Sequence, residues 1–304
     1  MKPITGLGTA LITPFTPQGD VDFEALKRLL DIQLNGGVDY IVVLGTTGEA
    51  ATMSEDEKAA TRQFIVNYIA GRIPLVLGVG GNNTAAVVQE LKDKSDELRQ
   101  HFAAILSVCP FYNKPSQEGL YQHFTTIAQA SPVPVILYNV PGRTGVNLLP
   151  ETVMRIYTAV PDKILGIKEA SGNLEQIRHL LGLLESLPTV DRQSTDSRNI
   201  DKATLMVISG DDGIAAEVMQ AGGAGLISVA SNAWPKEFGQ IIRKQDFALQ
   251  NSFADMVRLL FKEGNPAGIK TVLSQMGVIS NTLRLPLVPN SAEVQEEIKK
   301  ELSN

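Results

Sequence analysis

Short apolar runs alternate with longer stretches of mixed polarity along most of the chain. The apolar runs are rich in Val, Ile and Leu, which is typical of parallel strands buried on both faces. Eight of them are predicted as strands: residues 8–15, 40–45, 74–80, 103–110, 133–140, 164–169, 204–209 and 225–229. Each is followed by a helical stretch, and eight such repeats are what a closed (β/α)8 TIM barrel requires.

An open, doubly wound α/β sheet is the alternative architecture. It would normally have fewer strands and a glycine-rich nucleotide-binding turn after the first of them. Here the first predicted strand continues into TPFTPQGD, which contains no GxGxxG motif. The sequence therefore favours the barrel.

Polar residues at the expected helix starts support this phasing. Ser54 precedes three acidic residues at positions 55–57, the pattern of an N-cap followed by a negatively charged first turn. Ser116 and Thr84 are predicted to cap helices in the same way, and Pro150 is predicted to begin one.

Helical periodicity continues after the eighth predicted strand to the end of the chain. Four more helices are predicted, over residues 234–243, 247–262, 266–275 and 291–302. The first would close the barrel, whereas the others exceed what a barrel needs. We therefore expect a catalytic barrel over residues 1–232 and a C-terminal helical domain over 233–304. The polar stretch 186–199 is predicted to be a surface connection.

Composition excludes several classes of protein. A net charge of −6 over 304 residues gives no reason to expect a nucleic acid or an anionic membrane as partner. The single cysteine, Cys109, rules out an internal disulfide and a cysteine-based metal site, and the three histidines show no metal-binding spacing. The N-terminus lacks the pattern of a signal peptide or membrane span, so a cytoplasmic location is expected.

Candidate chemistry is concentrated where the predicted strands end. Active sites of TIM barrels lie at the C-terminal ends of the strands. Polar side chains and glycines follow the apolar runs at residues 45–49, 110–115, 138–144, 167–172 and 209–212. These five segments are therefore expected to surround one site.

Lys168 is the most informative of these residues. It lies inside a run predicted to be a buried strand, where a charged ammonium group is costly. A buried lysine amine without a counter-charge can attack a ketone and form a Schiff base. The alternative is a structural ion pair with the neighbouring Glu169.

The other candidates have more than one interpretation. The turn at 45–49 offers hydroxyl and backbone N–H donors suited to a small carboxylate, but it could be a tight turn alone. Tyr138 could act as an acid and base or fill the barrel rim, and Arg143 could bind a second carboxylate or be a solvated surface residue. Glycines at 222–225 raise the alternative of a phosphate site.

Three motifs together carry a family resemblance: GTTGE at 45–49, YNVPGRTG at 138–145 and GIKEASG at 166–172. In this order and spacing they resemble the dihydrodipicolinate synthase / N-acetylneuraminate lyase family of pyruvate-dependent class I aldolases. The resemblance covers essentially the whole chain. PFYNKPSQEGLYQHF and TLRLPLVP are similar to the synthase branch of that family.

The resemblance implies a barrel with a C-terminal helical domain and neither a metal nor an organic cofactor. Lys168 matches the Schiff-base lysine, and Tyr138 matches the tyrosine that passes protons to and from it. Thr46 and Tyr112 match the two partners of that tyrosine in a hydroxyl relay. The residue matched by Tyr112 reaches the active site of a neighbouring subunit, so a dimer at least, and a tetramer built from two dimers, is expected.

Substrate-binding residues are implied in the same way. Thr47 matches the residue that binds the pyruvate carboxylate, in a pocket shaped by backbone groups around Gly210 and Ile227. Arg143 matches the arginine that receives the carboxylate of aspartate semialdehyde. The implied reaction condenses pyruvate with L-aspartate 4-semialdehyde through a lysine Schiff base, in the biosynthesis of lysine and diaminopimelate.

Two alternative functions remain. A sialic-acid lyase or another sugar-acid aldolase would use the same lysine with a different aldehyde. That branch generally lacks an arginine at the position of Arg143, which favours the synthase. A catalytically silent barrel with a binding role should have lost the lysine or the relay, and both are present here.

The resemblance also bears on feedback inhibition by L-lysine. Lysine-sensitive members carry a Ser-Ala pair, a histidine, an asparagine, a glutamate and a tyrosine in the effector site. The matching residues here are Ala50, Ala51, Lys58, Asn82, Ala86 and Phe111. The effector's ammonium group would lose its glutamate and face a lysine, so weak or absent inhibition is expected.

Overall fold

The computed structural model describes residues 4–186 and 205–303. Its core is a closed barrel of eight parallel strands in sequential order, in which the first strand pairs with both the second and the eighth. The strands are β1 (Gly6–Ala10), β2 (Tyr40–Val43), β3 (Leu75–Gly78), β4 (Ala104–Val108), β5 (Val135–Asn139), β6 (Ile164–Glu169), β7 (Met206–Ser209) and β8 (Gly225–Ser228). The predicted TIM barrel is confirmed.

Helices surround this barrel and continue beyond it. They are α1 (Phe23–Gly36), α2 (Glu55–Ile69), α3 (Thr84–Asp93), α4 (Ser95–His101), α5 (Gln117–Ala130), α6 (Pro141–Thr144), α7 (Pro150–Ala159), α8 (Leu174–Glu185), α9 (Ala215–Gln220), α10 (Pro235–Lys244), α11 (Phe247–Ser252), α12 (Ala254–Lys262), α13 (Ala267–Gln275) and α14 (Ala292–Glu301). Short 3-10 turns follow three of the strands, over Thr46–Gly48 and Ala50–Thr52 after β2, Asp212–Ile214 after β7 and Ala230–Asn232 after β8.

The predicted bounds of the first strand are wrong. The predicted strand covered residues 8–15, whereas β1 ends at Ala10. Residues 11–15 are buried, but they lead into a turn in which Phe15 pairs with Val21 in an antiparallel bridge. The apolar run therefore reflected burial of a loop as well as a strand. The connection predicted at 186–199 lies, apart from Ser186, outside the described residues, as does the predicted start of the seventh strand.

Capping side chains account for the starts of seven of the fourteen helices that the structure describes. Ser54 and Glu57 form a reciprocal capping box at the start of α2, and Ser116 accepts a hydrogen bond from the Gly119 amide at the start of α5. Pro150 occupies the first turn of α7 as predicted. At α3 the cap was misassigned, because Asn83 rather than Thr84 accepts the free backbone N–H groups.

Two apolar layers hold the barrel. One lies between the strands and the surrounding helices, and the other fills the barrel interior with side chains that include Tyr40, Ile136, Ile208 and Ile227. Gly8 leaves room for Tyr40 in that interior, since a Cβ at Gly8 would lie 2.2 Å from the Tyr40 ring. The interior is therefore packed, which leaves the strand ends to form a site.

The C-terminal helices pack against the barrel and against one another. Helix α10 packs against β1, β8 and α1 and closes the barrel, as predicted. The single helix predicted over 247–262 is two helices, α11 and α12, and α12 packs against α13 and α14. None of the helices in the described ranges is long and apolar enough to span a membrane.

Candidate active site

Lys168 and Tyr138 lie side by side near the C-terminal ends of β6 and β5. The two residues are paired directly in the parallel ladder. Their side chains are 5% and 6% exposed, and the Lys168 Nζ lies 4.5 Å from the centre of the Tyr138 ring. A buried amine therefore faces an aromatic side chain that carries a hydroxyl.

Glu169 does not serve as the counter-charge of Lys168. Neighbouring residues of a strand point to opposite faces, and the Glu169 carboxylate accepts hydrogen bonds from Asn139 Nδ2 (2.9 Å), the Ser171 amide (2.8 Å) and Gln176 Nε2 (3.0 Å). Within the described ranges, no carboxylate forms an ion pair with Lys168. The structural ion pair considered as the alternative is absent there.

The chain opposite Lys168 is built closely around its side chain. A Cβ at Gly210, directly after β7, would lie 2.9 Å from Lys168 Cε and 2.6 Å from the Ala170 Cβ. Only glycine lets the backbone approach so near. Ile227 on β8 is fully buried and pairs with Gly8, so it contributes to the packed interior beside this site.

The turn after β2 carries Thr46 and Thr47 and is anchored to the C-terminal helices. Glu49 ends this turn with a positive φ of 53°, and its carboxylate is buried. It forms an ion pair with Lys270 of α13 and accepts a hydrogen bond from the Arg284 amide at 3.1 Å. Burial lowers the pKa of Lys270 to about 8, while Glu49 opposes that shift.

A cavity of about 590 Å³ opens at this end of the barrel. Thr46, Tyr138 and Arg143 all line it, together with Phe111 and Asn265. These residues come from four separate segments of the chain. The structure therefore brings three of the residues predicted for the site to one cavity.

Arg143 and Thr47 are joined by Asn265, a residue that the sequence did not indicate. Arg143 Nη2 donates to the Asn265 carbonyl oxygen at 3.2 Å, and Asn265 Nδ2 donates to Thr47 Oγ1 at 2.9 Å. Asn265 lies between α12 and α13, more than 200 positions after Thr47. No local pattern in the sequence signals such a contact.

Tyr112 does not line the cavity that Thr46 and Tyr138 share. Its side chain is 88% exposed and its φ is +73°, and no hydrogen bond joins it to Thr46 or Tyr138 in the described part of the chain. The neighbouring Phe111 lines the cavity instead. A single chain therefore does not complete the predicted relay.

The glycines considered for a phosphate site lie at the opposite end of the barrel. Gly222 and Gly223 precede β8, and Gly225 is its first residue. A Cβ at Gly223 would lie 2.6 Å from Val218, and one at Gly225 would lie 2.2 Å from the Gly6 oxygen. Close packing accounts for both glycines. In the described ranges, no group of three or more His, Cys, Asp or Glu side chains is arranged to hold a metal ion.

This chain is similar to known proteins over nearly its whole length. The model of the dihydrodipicolinate synthetase family matches residues 3–304. A 4-hydroxy-tetrahydrodipicolinate synthase from Parabacteroides distasonis is 46% identical, over 98% of this chain and 96% of that protein.

Solved structures of dihydrodipicolinate synthases are also similar to this chain. The chloride-inhibited dihydrodipicolinate synthase from Acinetobacter baumannii, complexed with pyruvate, is 36% identical with a TM-score of 0.88 and covers 99% of this chain and 98% of its own. A monomeric dihydrodipicolinate synthase variant is 37% identical with a TM-score of 0.87 and covers 98% of this chain and 96% of its own. The family resemblance inferred from three strand-end motifs is confirmed, and the chain belongs to the dihydrodipicolinate synthetase family.

Proposed function

We propose that this chain acts as a 4-hydroxy-tetrahydrodipicolinate synthase and condenses pyruvate with L-aspartate 4-semialdehyde, in lysine and diaminopimelate biosynthesis. The observation that carries the proposal is the buried amine of Lys168, which faces the Tyr138 ring and has no carboxylate partner in the described ranges. An amine held in this way can serve as a nucleophile toward a ketone.

Lys168 forms the covalent intermediate. Its amine adds to the ketone carbon of pyruvate, and loss of water gives a protonated imine. The imine draws electrons from the adjacent methyl group, which loses a proton and becomes the enamine carbon. That carbon attacks the aldehyde of aspartate semialdehyde, whose oxygen takes up a proton. The amino group of the same substrate then adds to the imine carbon and displaces Lys168 as the free amine, closing the ring.

Tyr138 handles the protons of these steps. Its place beside Lys168 suits transfer to and from the carbinolamine oxygen and the enamine. Each positioned acid–base group typically contributes 10²–10⁴-fold. Thr46, which lines the same cavity, and Tyr112 from a second subunit complete the relay in this proposal.

Each of the two substrates is held by its own carboxylate. Thr47 donates to the pyruvate carboxylate, with backbone groups near Gly210 and Ile227 shaping that end of the pocket. Arg143 binds the carboxylate of aspartate semialdehyde, because a guanidinium group offers paired donors to a planar anion. The support for these roles is that Asn265 contacts both Thr47 and Arg143 at the cavity.

A second copy of the chain belongs to the proposal. Tyr112 is almost fully exposed, and Leu285 and Val288 are 79% and 58% exposed in the segment whose Pro286 and Leu287 line the cavity. Exposed apolar side chains grouped around a site are typical of an interface. We propose a homodimer at least, and a tetramer built from two dimers.

The remaining parts of the proposal concern organisation and location. The chain divides into a barrel over residues 1–232 and a helical domain over 233–304, in which α10 packs on the barrel and α12, α13 and α14 pack together.

A cytoplasmic location is supported by the single buried, unpaired cysteine, Cys109, since disulfides are rare in reducing compartments.

A substrate comparison tests the proposed function. The purified protein is assayed with pyruvate and L-aspartate 4-semialdehyde, and in parallel for cleavage of N-acetylneuraminate and of other sugar-acid aldols. We expect turnover only with the semialdehyde. Turnover of a sugar acid instead would assign the chain to the lyase branch, and no turnover with any of them would favour a binding role.

A further inference from the structure

Asn265 lines the cavity and contacts both residues proposed to bind the substrate carboxylates. It lies between α12 and α13, is 7% exposed and lines the cavity itself. Its side-chain amide contacts the hydroxyl of Thr47, while its backbone carbonyl accepts from Arg143. The two substrate-binding residues therefore meet different parts of the same asparagine.

The contact with Thr47 determines what the hydroxyl can do. A threonine hydroxyl has one proton to donate and two lone pairs that accept. The Asn265 N–H occupies one lone pair of Thr47 Oγ1 at 2.9 Å. The proton of Thr47 then remains available for an acceptor in the site, and a carboxylate is a group that only accepts.

The orientation of the amide determines whether Thr47 keeps its donor. Asn265 Oδ1 is buried and has no hydrogen-bond partner in the described part of the chain. If the amide were reversed, Oδ1 would accept the Thr47 proton and the site would lose that donor. The orientation with Nδ2 toward Thr47 keeps the donor free.

We propose that Asn265 is a positioning residue for pyruvate: its amide N–H holds Thr47 so that the hydroxyl proton points to the pyruvate carboxylate. The inference rests on the proposed function of the site. It concerns the side chain of Asn265, and it separates the two substrates, because Arg143 contacts only the backbone of this residue.

Asn265→Asp is the sharpest test, since it keeps the shape but replaces the N–H donor by an acceptor. We measure KM and kcat for both substrates, and the pyruvate concentration that half-saturates borohydride trapping on Lys168. We expect the pyruvate KM and the trapping midpoint to rise about tenfold or more, the size typical of a hydrogen bond to a charged group. The kcat and the KM for aspartate semialdehyde should change by less than about threefold.

Asn281→Asp is the matched control. Asn281 Nδ2 contacts Thr271 Oγ1 at 3.4 Å, its Oδ1 is also buried without a partner in the described ranges, and it does not line the cavity. The same substitution there should leave the pyruvate KM unchanged. Asn265→Ala provides a second variant that removes the donor without adding charge, and it should raise the pyruvate KM less than Asn265→Asp.

A double-mutant cycle completes the test. In a Thr47→Val background, Asn265→Ala should cause no further rise in the pyruvate KM, because the hydroxyl that it orients is already absent. Unchanged pyruvate binding in folded Asn265→Asp, equal losses for both substrates, or additive effects with Thr47→Val would overturn the inference. Failure of the wild-type protein to form a pyruvate adduct would instead overturn the proposed function.

Discussion

Lys168 has no carboxylate partner in the described part of the chain because the neighbouring Glu169 is committed elsewhere. Glu169 is saturated by Asn139, Ser171 and Gln176, and Gly210 brings the opposing backbone against the lysine stem without adding a polar group. The amine is left beside the Tyr138 ring. The reactivity expected of this residue therefore arises from the hydrogen bonding of its neighbours as much as from burial.

The sequence indicated the residues of the site better than their contacts. The positions of Lys168, Tyr138 and Thr46 at one end of the barrel could be predicted because they lie at or just after the ends of apolar runs, and the ends of parallel strands meet at one face of a barrel. The links through Asn265 and Lys270 could not, because they depend on how the C-terminal helices dock on the turn after β2. Contacts between such distant parts of the chain leave no periodic signal.

Arg143→Ala should selectively impair use of aspartate semialdehyde. Loss of a charged contact to a carboxylate costs about 1.5–3 kcal/mol, so kcat/KM for the semialdehyde should fall roughly 10- to 150-fold. Borohydride trapping with pyruvate should stay close to that of the wild type. Arg155→Ala is the control, since Arg155 forms an exposed ion pair with Glu118 away from the cavity. Equal damage to both steps would show that Arg143 organises the whole site.

At the scale of elements, periodicity predicted seven of the eight strands and three of the four C-terminal helices to within two residues. The errors occurred where burial and strand pairing are not the same thing, as in residues 11–15, and where two helices follow each other without a glycine or proline, as in α11 and α12. Apolar patterns report which positions are buried. They do not report where backbone pairing stops.

Helices α3 and α5 meet through a buried histidine that should make the fold sensitive to acid. His123 Nδ1 lies 2.8 Å from Thr84 Oγ1, and burial lowers the pKa of His123 to about 4. The unfolded chain binds this proton near pH 6.5. The stability contributed by neutral, buried His123 is therefore fully present above pH 6.5 and is lost as the pH falls toward 4.

The free energy of unfolding, measured by denaturant titration at pH 7 and pH 5, checks this point. The wild-type protein should lose about 2 kcal/mol more than a His123→Gln variant over that interval. The control is His179→Gln, because His179 is exposed and paired with Glu151. An identical pH dependence of the wild-type and His123→Gln proteins would contradict the assignment of a neutral buried histidine.

At the scale of the whole molecule, the proposal requires a second copy of the chain to complete the relay. Tyr112 is exposed, and the exposed Leu285 and Val288 flank Pro286 and Leu287, which line the cavity. If a partner supplies Tyr112, the isolated chain has all of the covalent chemistry but an incomplete relay. Activity should then depend on association.

Subunit mixing tests this dependence. Tyr112→Phe and Lys168→Ala chains should each be nearly inactive alone, but hybrids should recover activity in sites that combine an intact Lys168 with an intact Tyr112 from the partner. As a control, each variant alone is taken through the same subunit-exchange procedure. If mass spectrometry shows hybrids and no activity returns, Tyr112 acts within its own chain or outside catalysis.

L-Lysine should not inhibit this protein strongly. Ala50, Ala51, Lys58 and Phe111 line the same cavity as Thr46, and Lys58 would bring a cation toward the effector's ammonium group. Losing one charged partner costs about 1.5–3 kcal/mol, or roughly 10- to 150-fold in affinity. Turnover measured at rising L-lysine concentrations should stay near its starting value. Half-inhibition at or below about 1 mM would contradict this expectation.

The central claim is that Lys168 forms a Schiff base with pyruvate. The most direct measurement is peptide mass spectrometry after borohydride reduction of the protein in the presence of pyruvate. We predict a reduced pyruvate adduct on the peptide that contains Lys168, with none on a Lys168→Met variant that melts at the wild-type temperature. An unmodified Lys168 in protein that turns over its substrates, or an adduct on another lysine that persists in the variant, would contradict the account.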